Sequence, residues 1–153
     1  RFVKFERIRD FNHILVKNYL YTVFQKEASQ KLIAYNTRAL VNSIQKYPID
    51  AITHLNYLSF CDVVEVAKAA RDYGTYIELN SKKVHLMDEQ LAAVRDTGVR
   101  FIIDSDAHSV DRIGDTKIVD ELLSRVDVPL GQIDNVEGRF PRFRFREYKE
   151  RNL

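Results

Sequence analysis

The chain has 153 residues, of which 45% are hydrophobic and 30% are charged, a balance typical of one soluble folded domain and unlike that of a disordered segment. Its net charge of +2, from 24 basic and 22 acidic residues, is too small to indicate a polyanion partner for the chain as a whole. No apolar run approaches the ~18–20 residues of a membrane span. The single cysteine, Cys61, excludes an internal disulfide and favours a reducing compartment, which we expect to be the cytoplasm.

The hydrophobic pattern is weakest over residues 1–36, where short apolar runs at 14–16 and 19–24 are candidate strands. Beyond them, helices alternate with strands. The pattern predicts helices over residues 37–46, 61–73, 88–97 and 115–126, and strands over 49–54, 75–80 and 100–104. Gly74 and Gly98 each end a helix just before a strand. This alternation predicts an α/β fold with parallel strands, either part of a β/α barrel or an open doubly wound sheet.

Polar side chains follow the three predicted strands. The first strand ends at His54, the second carries Glu78 and Asn80 at its end, and the third leads into Asp106 and His108. Active sites of parallel α/β folds lie at the carboxyl ends of the strands, so we expect these groups at one rim. A carboxylate and imidazoles suit Zn, Mn or Fe. Two interpretations stay open: a metal-binding set, or an Asp106 that caps a turn beside an ordinary exposed His108.

The segment 101–109, Phe-Ile-Ile-Asp-Ser-Asp-Ala-His-Ser, resembles the last motif of the polymerase and histidinol phosphatase (PHP) family of phosphoesterases. Two preceding units of that family match in the same order, at residues 36–40 with 52–54 and at residues 65–70 with 77–80. The resemblance extends from about residue 30 to residue 136 and is most specific at 105–109. It implies a distorted seven-stranded, TIM-like β/α barrel that hydrolyses phosphate esters.

The resemblance also implies roles for the rim residues. His54, Asp106 and His108 become metal ligands, with Zn favoured over Mn or Fe, and Asp106 and His108 become catalytic. Water activated by the metal would attack the phosphorus atom of a small phosphorylated substrate. Glu78 and Asn80 would stand beside the site, orienting the ligands or contacting substrate; the alternative is a strand-end carboxylate and a turn-forming amide.

Several family motifs have no counterpart in this sequence. The His-x-His that opens the family pattern, its next histidine ligands and its bridging glutamate are absent, and His13 matches none of them. We therefore expect residues 1–153 to form a single domain that is the C-terminal part of a PHP barrel. The N-terminal part of the same protein would then be its partner, activity of the segment alone would be weak, and exposed strand edges would favour a homodimer.

Basic residues near the predicted rim are candidates for binding phosphate. Arg112 lies four residues after His108, and its planar guanidinium suits phosphate oxygens. His85, with Lys82 and Lys83, follows the second strand, where we favour an ordinary solvated loop.

The C-terminal tail, residues 139–153, is basic and aromatic. Arginine and phenylalanine alternate over residues 139–146, which is typical of segments that stack bases and pair phosphates. The alternative function is therefore a non-catalytic α/β module whose tail binds nucleic acid or a protein partner. The simpler interpretation is an extended strand that packs Phe143 and Phe145 on the body of the protein and leaves its arginines in water.

Overall fold

The computed structural model describes residues 28–57 and 59–152, and this part of the chain is α/β, with a three-stranded parallel sheet and five α-helices. The elements in chain order are α1 (Gln30–Lys46), β1 (Ala51–Ile52), α2 (Val63–Tyr73), β2 (Tyr76–Asn80), α3 (Asp88–Arg95), β3 (Phe101–Asp104), α4 (Lys117–Arg125) and α5 (Arg144–Asn152). Short 3₁₀ turns occupy Val110–Arg112 and Leu130–Gln132. The apolar runs predicted as strands at 14–16 and 19–24, and His13, lie outside the described residues.

The sheet has the order β1-β2-β3 with every pair parallel. Ile52 lies opposite Ile77, and Asn80 lies opposite Asp104. The predicted alternation of helices and strands is confirmed. β1 begins two residues later than predicted, and it ends earlier because the backbone turns at His54, whose φ of 48° is outside the range of a strand.

Capping side chains explain where three helices begin. Ser29 accepts a hydrogen bond from the backbone N–H of Leu32, so α1 starts seven residues before the predicted residue 37. The Asp62 carboxylate accepts the N–H groups of Val64 and Glu65 and starts α2 at 63 instead of 61. The Asp115 carboxylate, which the pattern predicted as an N-cap or first-turn acid of α4, lies two residues before the helix and accepts the N–H of Lys117.

The hydrophobic core lies between the sheet and the helices. Its fully buried members on the sheet come from β2 and β3: Ile77, Leu79 and Phe101. Those on the helices pack against them from α1 to α4: Ile44, Val66, Ala70, Leu91, Val94 and Val119. Within the described residues, no helix combines the length and apolar character needed to cross a membrane.

The outer edge of β3 is covered by the chain that follows the second 3₁₀ turn. Ile133 forms an isolated parallel bridge with Phe101, and the N–H of Asp134 donates to the carbonyl of Phe101. The Asn135 side chain then accepts from the N–H of Ile103 at 2.8 Å and donates to its carbonyl at 2.7 Å. A side-chain amide therefore satisfies backbone groups that another strand would otherwise pair.

The C-terminal tail corrects one prediction. Residues 144–152 form helix α5 and not an extended strand. The helix is anchored where the Phe145 N–H donates to the Asp50 carboxylate at 2.8 Å, and it gains an i,i+4 pair between Arg146 and Glu150. Phe143 and Phe145 both keep substantial exposure. Arg144 donates to the carbonyl of Ile44, so not all of the tail arginines are left in water.

Candidate active site

The carboxyl ends of β1, β2 and β3 bring the predicted rim residues together. His54 and Asp106 each adopt the left-handed backbone region, with φ of 48° and 45°. Such conformations are uncommon for residues other than glycine, and they concentrate at functional sites. At Asp106 the turn is held locally, because its backbone N–H donates to the Asp104 carboxylate. The two turns direct the His54 and Asp106 side chains toward each other.

The Asp106 carboxylate lies between two imidazoles. Its Oδ2 is 3.8 Å from His54 Nε2, and its Oδ1 is 3.7 Å from His108 Nδ1. All three side chains keep solvent exposure, so a ligand has access to them. Residues 54, 106 and 108 therefore lie close together, as two imidazoles on either side of one carboxylate.

Glu78 and Asn80 orient His54 from β2. Glu78, whose side chain is only 6% exposed, accepts the His54 backbone N–H at 2.8 Å, and the same Oε2 is 3.5 Å from His54 Nδ1. Asn80 Nδ2 is 3.2 Å from that ring nitrogen, while Asn80 Oδ1 accepts the N–H groups of Lys82 and Lys83. Both side chains thus engage Nδ1 and leave Nε2 toward Asp106.

The partner of His54 Nδ1 decides what Nε2 can do. If Asn80 donates to Nδ1, the ring proton of neutral His54 sits on Nε2; if Nδ1–H donates to Glu78, Nε2 presents a free electron pair. The second tautomer is the one that a metal ligand requires, and a carboxylate on the far ring nitrogen is the usual device that selects it.

His108 has different surroundings. Its Nδ1 is 2.7 Å from the Asp106 carbonyl oxygen, and its Nε2 is 3.4 Å from Lys82 Nζ. The Lys82 cation therefore occupies the side of the ring on which a metal ion at Nε2 would lie. The sequence analysis assigned Lys82 to a solvated loop. Asn80 could have indicated its true position, because asparagine favours tight turns and the Asn80 side chain accepts the backbone N–H of Lys82.

The donor set fits a metal ion only in part. Two donors at ~2.0–2.2 Å from one ion lie about 3.0–3.8 Å apart, and the separation of His54 Nε2 from Asp106 Oδ2 is at the upper end of that range. Nδ1 of His108 is engaged with backbone. Between residues 28 and 152, Leu58 apart, no group of three or more His, Cys, Asp or Glu side chains is arranged to hold an ion.

Arg112 lies beside the rim rather than within the cluster. Its Nη2 donates to the Ser81 carbonyl at 3.3 Å, just past the end of β2, and its Nη1 is 3.3 Å from the Asp115 carboxylate. These contacts fix the guanidinium near the strand end, and 38% of the side chain remains exposed.

Tyr57 and His85 form an aromatic wall that the sequence did not reveal. Their rings stack at 4.2 Å between centroids, and both meet the His54 ring edge-on, at 5.8 and 6.0 Å. Burial, followed by the charge of Lys83 and the neighbouring His54, lowers the pKa of His85. A neutral His85 therefore packs against the candidate ligand instead of lying in open solvent.

Cys61 is not a nucleophile for this site. Burial, assisted by the Asp62 carboxylate, raises the pKa of its thiol to about 12. We predict that iodoacetamide at about pH 8 will label native Cys61 very slowly, because roughly one thiol in 10⁴ is ionised, whereas labelling in urea will be fast. Mass spectrometry over time measures both rates. Equal rates in buffer and urea would show that the thiol is accessible and would contradict this assignment.

No family model matches the chain. Curated relatives do, and each of the following is named "Probable phosphatase". The Vibrio campbellii protein is 33% identical over 110 residues, 65% of this chain and 44% of the relative. The Tolumonas auensis protein is 30% identical over 118 residues, which are 70% of this chain and 46% of the relative. The Acetivibrio thermocellus protein is 29% identical over 129 residues, which are 79% of this chain and 52% of the relative. The chain is thus similar to a group of proteins named as phosphatases and spans about half their length.

Proposed function

We propose that this chain forms the C-terminal part of a metal-dependent phosphoesterase, which hydrolyses small phosphorylated substrates at the rim formed by the ends of β1, β2 and β3. The observation that carries the proposal is the approach of His54 Nε2 to the Asp106 carboxylate, 3.8 Å apart, from two strand ends and through two left-handed turns. Support comes from the names of the curated relatives and from the PHP-like motif at residues 101–109.

Two of the predicted ligand side chains face each other closely enough to bind one metal ion, and the third would have to move. His54 would offer Nε2 and Asp106 would offer Oδ2, while His108 would join after a change of side-chain rotamer that takes it away from Lys82. A divalent ion, Zn²⁺ by preference or Mn²⁺ or Fe²⁺, supplies a nucleophilic water at neutral pH and neutralises charge on the phosphoryl oxygens.

The chain's own residues would position the ligands and the substrate. Glu78 holds the His54 backbone, and its carboxylate, 3.5 Å from Nδ1, would accept the Nδ1 proton in the tautomer that leaves Nε2 free. Lys82, released from His108, and Arg112, fixed beside Ser81, would face the phosphoryl group from the same rim. Their positive charges would bind the phosphate dianion and stabilise the charge that builds on it during attack.

We infer that the remaining strands of a seven-stranded barrel come from another part of the same protein. The described sheet has three strands, and the rim cluster offers fewer ligands than the PHP resemblance implies. The chain's span of about half of each relative leaves room for the other strands. Additional histidine and carboxylate ligands from those strands would complete the site.

Glu78→Gln tests the orienting role directly. Gln keeps the shape of the side chain but removes the charge that selects the Nδ1–H tautomer of His54, so we expect both zinc affinity and kcat to fall by about 10–100-fold. Measurements on the full-length protein with an aryl phosphate, over a zinc titration, give both values. Glu89→Gln, an exposed change on α3, is the matched control. An E78Q protein with wild-type zinc affinity would contradict the proposed role.

A further inference from the structure

A large basic cleft lies at the opposite end of the sheet from the candidate active site. It has a volume of about 1170 Å³ and is bordered by the turns that precede β1, β2 and β3, at Pro48, Gly74 and Gly98, and by the C-terminal segment. Six arginines line it, from α2, the turn before β3 and the tail: Arg71, Arg100, Arg139, Arg142, Arg144 and Arg151. Two carboxylates, Asp134 and Glu147, are also in its lining.

The positive charge of this cleft is only partly compensated. Three of the six arginines have a carboxylate of their own: Arg71 pairs with Asp72, Arg100 with Asp134 and Arg139 with Glu137. Arg142 and Arg151, which are 87% and 79% exposed, share the one carboxylate of Glu147 at 3.4 and 4.0 Å. At least one of these two positive charges is therefore left without a partner within the cleft.

Hydrogen bonds to neutral groups hold the Arg144 side chain in one position in the basic cleft. Its guanidinium donates to the Ile44 carbonyl at 3.1 Å and to Thr75 Oγ1 at 2.9 Å, and it lies 5.8 Å from the centre of the Tyr73 ring. In the described part of the chain it forms no ion pair with a carboxylate. A guanidinium held by neutral oxygens keeps its full charge in a defined position, which suits an incoming phosphate.

Aromatic side chains stand among the arginines. Phe140 is 88% exposed, and Tyr148 and Tyr73 are also exposed along the cleft. Such rings are unfavourable in water and offer flat faces on which bases stack. The cleft is also larger than the ~300–1,000 Å³ typical of small-molecule sites. A polymer with alternating phosphates and bases matches these properties better than a single small anion does.

We propose that this cleft binds single-stranded nucleic acid, with Arg142, Arg144 and Arg151 on phosphates and Phe140 stacked on a base. The surface is separate from the rim residues His54 and Asp106 because it lies at the amino ends of the strands. Binding is therefore expected to be independent of the hydrolytic site and of any metal held there.

The test is fluorescence anisotropy of the full-length protein with a labelled oligothymidylate of about 12 nucleotides, within the usual length for one such surface. The Arg142→Gln/Arg151→Gln double variant should bind roughly 20-fold more weakly at about 0.1 M salt and lose about 1.4 units of the salt slope, since it removes two phosphate contacts. Phe140→Ala should weaken binding about tenfold with the salt slope unchanged. Thermal melts of each variant check folding.

Arg146→Gln is the control, because Arg146 lies on α5 like Arg151, carries the same charge, pairs with Glu150 and is not part of the cleft lining. It should bind like wild type. No binding by the wild-type protein, an equal loss in R146Q, or displacement of the oligonucleotide by an equal concentration of inorganic tripolyphosphate would each overturn the proposal. The last result would reveal a simple anion site without base stacking.

Discussion

Replacing Asp106 with asparagine should lower kcat/KM for a small aryl phosphate by about 10³-fold in the full-length protein, since loss of metal-borne stabilisation of roughly 4 kcal/mol corresponds to that factor. The carboxylate is the centre of the rim cluster, with His54 on one oxygen and His108 on the other. Asparagine has almost the same shape, so the left-handed turn at residue 106 should survive. Steady-state kinetics with saturating metal measures the effect.

The control for this variant is Asp111→Asn, which removes the same charge from an exposed position five residues further along the chain. We expect D111N to retain wild-type kinetics. If D106N hydrolysed the aryl phosphate at the wild-type rate while remaining folded, the reaction would have to occur elsewhere, and the rim cluster would lose its proposed role.

Replacing Asp134 with alanine should reduce the free energy of unfolding by about 2–3 kcal/mol, because it removes a mostly buried carboxylate that accepts from the buried Tyr76 hydroxyl and the half-exposed Arg100 guanidinium. Asp134 Oδ2 accepts the Tyr76 hydroxyl at 2.6 Å and Arg100 Nε at 2.7 Å, and Oδ1 accepts a second guanidinium hydrogen bond. The same hydroxyl accepts the N–H of Arg142 at 2.9 Å. Alanine would leave the buried Tyr76 hydroxyl without its acceptor and the Arg100 guanidinium without its carboxylate.

The pH dependence of this effect follows from the carboxyl pKa. The Arg100 guanidinium beside Asp134 holds the pKa of that carboxyl below its ordinary value, despite burial. Its stabilising contribution is therefore complete above the ordinary pKa of about 3.9 and is lost as the pH falls through the lower folded value. Urea unfolding should show a wide gap between wild type and D134A at about pH 7, and a narrow gap at about pH 2.

Tyr76→Phe is the comparison variant, because it removes the two hydrogen bonds of the hydroxyl, to Asp134 and from Arg142, but keeps the Asp134–Arg100 pair, and it should cost about 1–2 kcal/mol. A gap between wild type and D134A that stayed constant from neutral to acid pH would contradict the ionised carboxylate as its source.

The order of helices and parallel strands was predictable because local signals set it. Gly74 ends α2 in the left-handed region, with φ of 69°, directly before β2. In β2 the apolar Ile77 and Leu79 alternate with the polar Glu78 and Asn80, yet every residue of the strand is buried. The grouping of His54, Glu78 and Asp106 at one rim was also predictable, since parallel strands place their carboxyl ends together.

Other features depend on contacts between distant segments, which spacing does not encode. The side chain of Asn135 completes the edge of β3, and the Phe145 N–H meets Asp50 across nearly a hundred residues of sequence. The stacking of Tyr57 on His85 likewise joins two loops. A helix at the tail was missed because its alternating basic and aromatic residues also match the twofold period of a strand.

The candidate site likewise combines features that the sequence predicted with contacts that it could not predict. The motif at residues 101–109 predicted which side chains would meet, but it could not predict that Lys82 would face His108 Nε2 at 3.4 Å or that Asn80 would reach His54 Nδ1. Both contacts follow from the turn after β2, in which Asn80 Oδ1 accepts two backbone N–H groups. That turn places the Lys82 ammonium group beside His108, which the sequence predicts to be a metal ligand.

Zinc titration calorimetry of the full-length protein and its His54→Ala variant is the most direct measurement of whether the ends of β1 and β3 build one metal-dependent hydrolytic centre. Loss of one nitrogen ligand should weaken zinc binding by at least about tenfold and reduce aryl phosphate hydrolysis in the same preparation, while D111N matches wild type in both. A His54→Ala protein that binds zinc and hydrolyses substrate as wild type does would contradict that centre.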